Sequence, residues 1–160
     1  MEHQYSFSYT ILDSENHLSQ QDYQLLLKAR EAVTVAYAPY SKFYVGAAAL
    51  LINGEIVTGS NQENASYPSG ICAERSLLAM SAQLFPEIAI TTMAVSYVSS
   101  VGQSNYPASP CGFCRQVLAE FEKRVQQSIR LILCGAGGSV IIIPQSSFLL
   151  PLVFNSENLQ

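Results

Sequence analysis

The sequence predicts an α/β domain, a three-layer α-β-α sandwich around a mixed five-stranded sheet. Two observations carry this. Hydrophobic periodicity runs helix, strand, strand, helix, strand, helix, strand, strand, an order that one sheet covered by helices accommodates. The 160 residues, 49% of them hydrophobic, suffice for one core and show no internal repeat or interdomain linker. Residues 1–18 read as a polar, aromatic-studded N-terminal extension of uncertain order, and residues 19–160 as a single domain.

Each element has a local cause. Ser19 is an N-cap with Asp22 at the third helical position, and Leu25, Leu26, Ala29, Ala32, Val33 and Ala36 form one apolar face of a helix over 20–37 that Pro39 stops. Tyr44 to Ile52 reads as a buried strand. Asn53-Gly54 signals a two-residue hairpin into a return strand over 55–60. A polar loop, 61–70, precedes a helical pattern from Cys72 to Leu84 that ends before Pro86. Ile90 to Val98 is the third strand. A loop rich in Ser, Gly, Asn and Pro leads to a helix from Cys111 to about Arg124. Two short strands, 129–134 and 139–143, flank Gly135-Ala136-Gly137-Gly138, which favours an antiparallel pair.

Charge and inventory exclude several functions. Only 12% of residues are charged, against ~25% for an average globular chain. That leaves a neutral surface or one buried against another chain. Net charge −4 opposes binding to a nucleic-acid polymer, and no apolar run is long enough to span a membrane. The N-terminal Met-Glu-His-Gln lacks the basic and apolar regions of a secretory signal, so a cytoplasmic setting is expected. There, cysteines serve more often as metal ligands or redox groups than as disulfides. His3, His17, Asp13 and Asp22 all lie early, so no Ser-His-Asp triad can form within the main body.

Three of the four cysteines open predicted helices. Cys72 stands in Cys72-Ala73-Glu74, and Cys111 and Cys114 form a C-x-x-C after Pro110. Helix N-termini stabilise thiolates. Cysteines at i and i+3 share a helix face and can bind one ion. A third thiolate from the other helix makes three ligands and leaves a position open for water, as in catalytic zinc sites. Glu74, two residues after Cys72, is placed to shuttle protons between that water and a substrate. Other uses of these residues fit less well. A thioredoxin-like redox pair requires a strand leading straight into the motif, which is absent. A structural four-cysteine site requires Cys134, which ends the apolar strand Leu131–Cys134 and reads as a small buried residue.

Cys72-Ala73-Glu74 with Pro110-Cys111-Gly112-Phe113-Cys114 resembles the zinc deaminase signature. Ala38 to Phe43 with Val45 to Ala48, Asn61 to Ala65, Ile71 to Arg75 and Cys111 to Val117 narrow the resemblance to the small three-cysteine cytidine deaminases. It covers about residues 20–160 and implies a cytidine deaminase-like fold. It also implies one Zn2+ per subunit on Cys72, Cys111 and Cys114, with a water as fourth ligand. Glu74 takes a proton from that water, the resulting hydroxide attacks C4 of the cytosine ring, and Glu74 then protonates N3 and the departing amine. Cytidine and 2'-deoxycytidine become uridine and 2'-deoxyuridine in pyrimidine salvage, with release of ammonia.

By the same resemblance, the Ala73 N–H holds the base O2, the Ser109 carbonyl holds the amino group, Asn61 and Glu63 bind the ribose, and Phe43 packs on the base. The family assembles as homotetramers with shared sites. Tyr40, Tyr67 and Arg75 thereby become interface residues, and Phe154 reaches a neighbouring subunit's pyrimidine. Arg75 is additionally expected to donate hydrogen bonds to a ligand sulfur, offsetting the net −1 of zinc with three thiolates. Two other functions compete. A deaminase of RNA, DNA or an aminonucleoside antibiotic shares the site class, but a polynucleotide needs a basic track, and nothing here exceeds Lys123-Arg124. A non-catalytic zinc protein predicts no deamination at all.

Overall fold

The computed structural model describes residues 1–159. Its elements in chain order are β1 (Thr10–Leu12), α1 (Gln20–Val33), β2 (Phe43–Leu51), β3 (Ile56–Ser60), α2 (Ala73–Leu84), β4 (Ile90–Ser99), α3 (Gly112–Val125), β5 (Arg130–Cys134) and β6 (Val140–Ile143). The sheet order is β1-β6-β5-β4-β2-β3. Within the sheet β4 and β5, joined through α3, run parallel, and the other strand pairs are antiparallel. The helix between them follows from topology, because parallel neighbours need a crossover connection.

The three layers are those expected. Leu25, Leu26 and Ala29 of α1 cover one sheet face, against Ala48, Ala94, Ile132 and Val140. Leu77 and Leu78 of α2 and Leu118 and Phe121 of α3 cover the other, against Ala47, Ala49, Met93, Leu131 and Leu133. Alternate residues of each strand therefore serve opposite cores. Full burial on both faces explains why these strands read as continuous apolar runs.

Three local expectations are corrected. The sheet has six strands, not five, because Thr10–Leu12 pairs along β6, and a 3-10 turn, Glu15–His17, follows it. The first helix ends at Val33 rather than near 37. Tyr37 is drawn into the sheet side instead, donating its N–H to Asn61 O and accepting at its carbonyl from Glu63 N. The hairpin loop holds three residues, not two: Leu50 faces Ile56, and Leu51 N–H donates to Glu55 O. Gly54, at φ +87°, takes the left-handed position that a three-residue loop requires.

Two anchors hold the ends. Ser19 Oγ accepts from Asp22 N–H at 3.1 Å, as the capping pattern predicts. Asp22 in turn takes both guanidinium nitrogens of Arg130, at 2.7 and 2.9 Å. At Gly59 of β3 the first turn of α2 approaches so closely that a Cβ there would lie 2.6 Å from Leu77 N and 2.7 Å from Ala73 O. That contact sets where α2 begins, and so where Cys72 stands.

Candidate active site

Cys72 and Cys111 are the N-cap residues of α2 and α3, and Cys114 sits in the first turn of α3. Neither cap side chain bonds a backbone N–H of its helix, so both sulfurs face a positive helix end without being used up by it. Cys72 Sγ lies 3.7 Å from Cys111 Sγ, which lies 3.5 Å from Cys114 Sγ. These are too long for a disulfide, whose sulfurs stand about 2.05 Å apart. They match the roughly 3.8 Å edge of a tetrahedron with Zn–S bonds of about 2.3 Å. Among the described residues this trio is the one group of three or more His, Cys, Asp or Glu side chains placed to share an ion. The donor set therefore fits zinc.

Burial differs across the trio. Cys114 is buried, Cys72 half-buried and Cys111 exposed. A hydrogen bond from Cys114 lowers the Cys72 thiol to about 6, against burial and the nearby Glu74, with smaller help from Cys111 and Arg75. Cys114, as the donor, is pushed up. One thiolate at neutral pH is thus already available to a soft cation. Glu74 is 5% exposed, and burial pushes its carboxyl up, favouring the proton-carrying form. A carboxyl held in this way can donate and accept in turn.

Cys72, Cys111 and Glu74 line a pocket of about 510 Å³, together with Phe43, Asn61, Glu63, Tyr67 and Ser109, and Cys114 is buried behind them. Its volume suits a small-molecule ligand. Asn61 is locked in place: its Oδ1 accepts from Val45 N–H and its Nδ2 donates to Phe43 O, each at 2.8 Å. Glu63 Oε2 accepts from Tyr40 N–H at 2.9 Å and Ser41 N–H at 3.3 Å. Slight burial opposes ionisation, but those donors and Lys42 keep its carboxyl below the ordinary range. Ala73, fully buried, opens α2, where backbone N–H groups have no partner within the helix. The Tyr40 and Tyr67 rings lie 5.7 Å apart and line an adjoining cavity that shares Ser41, Glu63 and Gly70 with this pocket.

Two further site residues lie outside the pocket. Arg75 forms no hydrogen bond to a thiol among the described residues; its guanidinium lies over the Phe113 ring, 5.8 Å from the centroid. Its influence on Cys72 is through charge alone. Phe154 is exposed outside the pocket of its own chain, its carbonyl accepting from Gln116 Nε2 at 2.7 Å. Sequence reasoning missed Val45, Val95 and Tyr97, which also line the pocket. Val45 follows Phe43 by two and Tyr97 follows Val95 by two, so strand alternation carries the signal.

Residues 19–129 match the family model described as the cytidine and deoxycytidylate deaminase zinc-binding region. The chain is 37% identical over 139 residues to the cytidine deaminase of Halalkalibacterium halodurans, covering 86% of this chain and 98% of that one. It is 40% identical over 98 residues to that of Sporosarcina psychrophila, covering 61% and 68%. Among solved structures, the cytidine deaminase of Burkholderia pseudomallei superposes with TM-score 0.72 at 33% identity, over 86% of this chain and all of that one. The Mycobacterium tuberculosis cytidine deaminase gives 0.64 at 30%, over 86% and 98%. The matched segment holds Cys72, Cys111, Cys114 and Glu74, and the chain belongs to the cytidine and deoxycytidylate deaminase family.

Proposed function

We infer that this chain is a zinc-dependent cytidine deaminase, converting cytidine and 2'-deoxycytidine with water to uridine and 2'-deoxyuridine plus ammonia. One observation carries the reading: three thiols cluster with zinc-sulfur spacing, and two of them line a pocket together with a buried carboxyl two residues beyond the first. Cys72, Cys111 and Cys114 would hold the zinc ion, which when bound would supply the Lewis acidity that makes a water acidic at neutral pH.

The chain's own residues do the rest. Glu74 accepts a proton from water and delivers it to N3 of the base. As the water oxygen bonds to C4, Glu74 then takes the proton of the new C4 hydroxyl and passes it to the exocyclic amine, so that the C4–N bond breaks, the C4 carbonyl forms and ammonia leaves. Its burial favours a carboxyl that holds the proton between these steps. Phe43 forms an apolar wall for the flat base. The Ala73 N–H takes the base O2, and the Ser109 carbonyl the amino group. Glu63 binds the ribose diol, and Asn61 offers the amide hydrogen and lone pair its backbone bonds leave free.

The assembly is a homotetramer in which Phe154 enters a neighbouring site, and Tyr40, Tyr67 and Arg75 meet another subunit. Two observations support it. The described residues expose 9045 Å², against roughly 7,900 Å² for a compact monomer of this mass. Tyr67, Phe113 and Phe154 are large, apolar and exposed. The enzyme works in the cytoplasm; no helix among the described residues is long and apolar enough to cross a membrane. An ultraviolet assay of cytidine with the zinc-loaded protein tests the function. Loss of the cytidine absorbance with one ammonia per uridine is expected, and no turnover on either nucleoside rejects it.

A further inference from the structure

Cys111 is the exposed member of the sulfur trio. Cys114 is packed in the interior and Cys72 is half-buried, so packing helps to place both. Cys111 lacks that support, and its side chain makes no cap hydrogen bond. Where its sulfur stands depends on its backbone, held at φ −68° and ψ 169°. Those two angles are set by the peptide groups on either side of it.

Arg115 takes the carbonyl of both. Its backbone N–H donates to Cys111 O at 3.0 Å, in the first turn of α3. Its side-chain Nε donates to Pro110 O at 2.9 Å. Pro110 is buried, and a buried carbonyl needs a partner. From Tyr106 to Pro110 no other backbone group forms a hydrogen bond among the described residues. The long loop after β4 is therefore tied down by this one bond just before it delivers Cys111.

The guanidinium is itself anchored. Its Nη1 donates to Leu149 O at 3.1 Å. Leu149 ends a 3-10 turn, Ser146–Leu149, that is braced on two sides. On the inner side the buried Glu122 accepts from Ser146 N–H at 3.0 Å and Ser146 Oγ at 2.8 Å. On the outer side the Tyr5 hydroxyl donates to Phe148 O at 2.9 Å, and the Phe7 and Phe148 rings pack 5.9 Å apart. A planar fork with one arm on a braced turn and the other on Pro110 O acts as a rigid spacer.

We propose that Arg115 is a positioning residue for the metal centre: it fixes the Pro110–Cys111 peptide and so holds the exposed Cys111 sulfur 3.7 Å from that of Cys72 and 3.5 Å from that of Cys114. The inference rests on the trio binding zinc. Groups that orient a metal ligand typically contribute roughly 10–100-fold to metal affinity.

The test uses the full chain, well below the melting temperature of each variant. Zinc affinity is measured by competition with a chromophoric chelator. The sulfur-to-metal charge-transfer absorption of the cobalt(II)-substituted protein reports how many thiolates bind. Arg115→Leu is expected to bind zinc about 10–100-fold more weakly and to lose charge-transfer intensity toward that of Cys111→Ala. Adding Arg115→Leu to Cys111→Ala should reduce affinity no further, because the arginine acts through that ligand. Arg115→Lys keeps the charge without the fork and should also bind zinc more weakly than wild type. It carries the test if Arg115→Leu does not fold. An arginine that only stabilises the fold lowers the melting temperature and leaves the affinity and the cobalt spectrum at wild type, and that result overturns the proposal. So does wild-type affinity in Arg115→Lys, or an undiminished loss in the Cys111→Ala background. A wild type that takes up no zinc removes instead the reading beneath the proposal.

Discussion

Cys72 Sγ and Cys111 Sγ, 39 positions apart in the chain, stand 3.7 Å from each other because the N-termini of α2 and α3 converge at one end of the sheet. The close approach of α2 to Gly59 and the crossover through α3 to β5 bring those ends together. The site is thus a consequence of layer packing, and changes to either its ligands or its framework have separable signatures.

Cys111→Ala removes an exposed ligand whose loss leaves the core untouched. The variant is expected to fold but to lose its zinc by metal analysis. Activity should fall by more than the roughly 10–100-fold typical when a group that only orients a ligand is lost.

Glu74→Gln keeps the size and removes the titratable proton. Zinc content and melting temperature should stay near wild type, while kcat for cytidine falls by about 10²–10⁴-fold. Steady-state rates and metal analysis on the same sample check both halves.

Gly59→Ala drives a Cβ into the backbone of Leu77 and Ala73. The shift of α2 should destabilise the fold by about 1–3 kcal/mol, read by denaturant unfolding. Because Cys72 and Glu74 ride on that helix, cytidine turnover should fall more than the unfolded fraction explains.

Glu15 meets the Arg30 guanidinium, one nitrogen donating at 2.9 Å, and tethers the N-terminal segment to α1. The Arg30 hydrogen bond, against some desolvation, holds its carboxyl below the ordinary 4.5. A carboxyl lowered in the folded state stabilises above its unfolded value and ceases to as the pH falls through its folded value. The melting-temperature difference between wild type and Glu15→Gln should therefore be full at pH 6, a point chosen about 1.5 units above the unfolded value, and shrink below 4.5. A difference that stays constant through acid contradicts this role.

Much of the site was legible along the chain. Cys72, Cys111, Cys114 and Glu74 announce themselves because ligand spacing and helix starts are local properties, set by three or four consecutive residues. The helices and five of the strands follow likewise from periodicity and from Ser19, Pro39 and Pro110. What lay beyond the sequence depends on partners distant in the chain. Thr10–Leu12 becomes a strand only because the β6 edge offers hydrogen bonds. Tyr37 leaves α1 because Asn61 and Glu63 take its backbone. Arg75 turns to Phe113 rather than to sulfur, and Tyr97 joins the pocket through strand register. The sequence by itself determined the ligand set, the acid-base residue and the layer architecture. Only the tertiary structure decided which rings wall the pocket and how the chain ends are held, because long-range pairing leaves no local pattern to read.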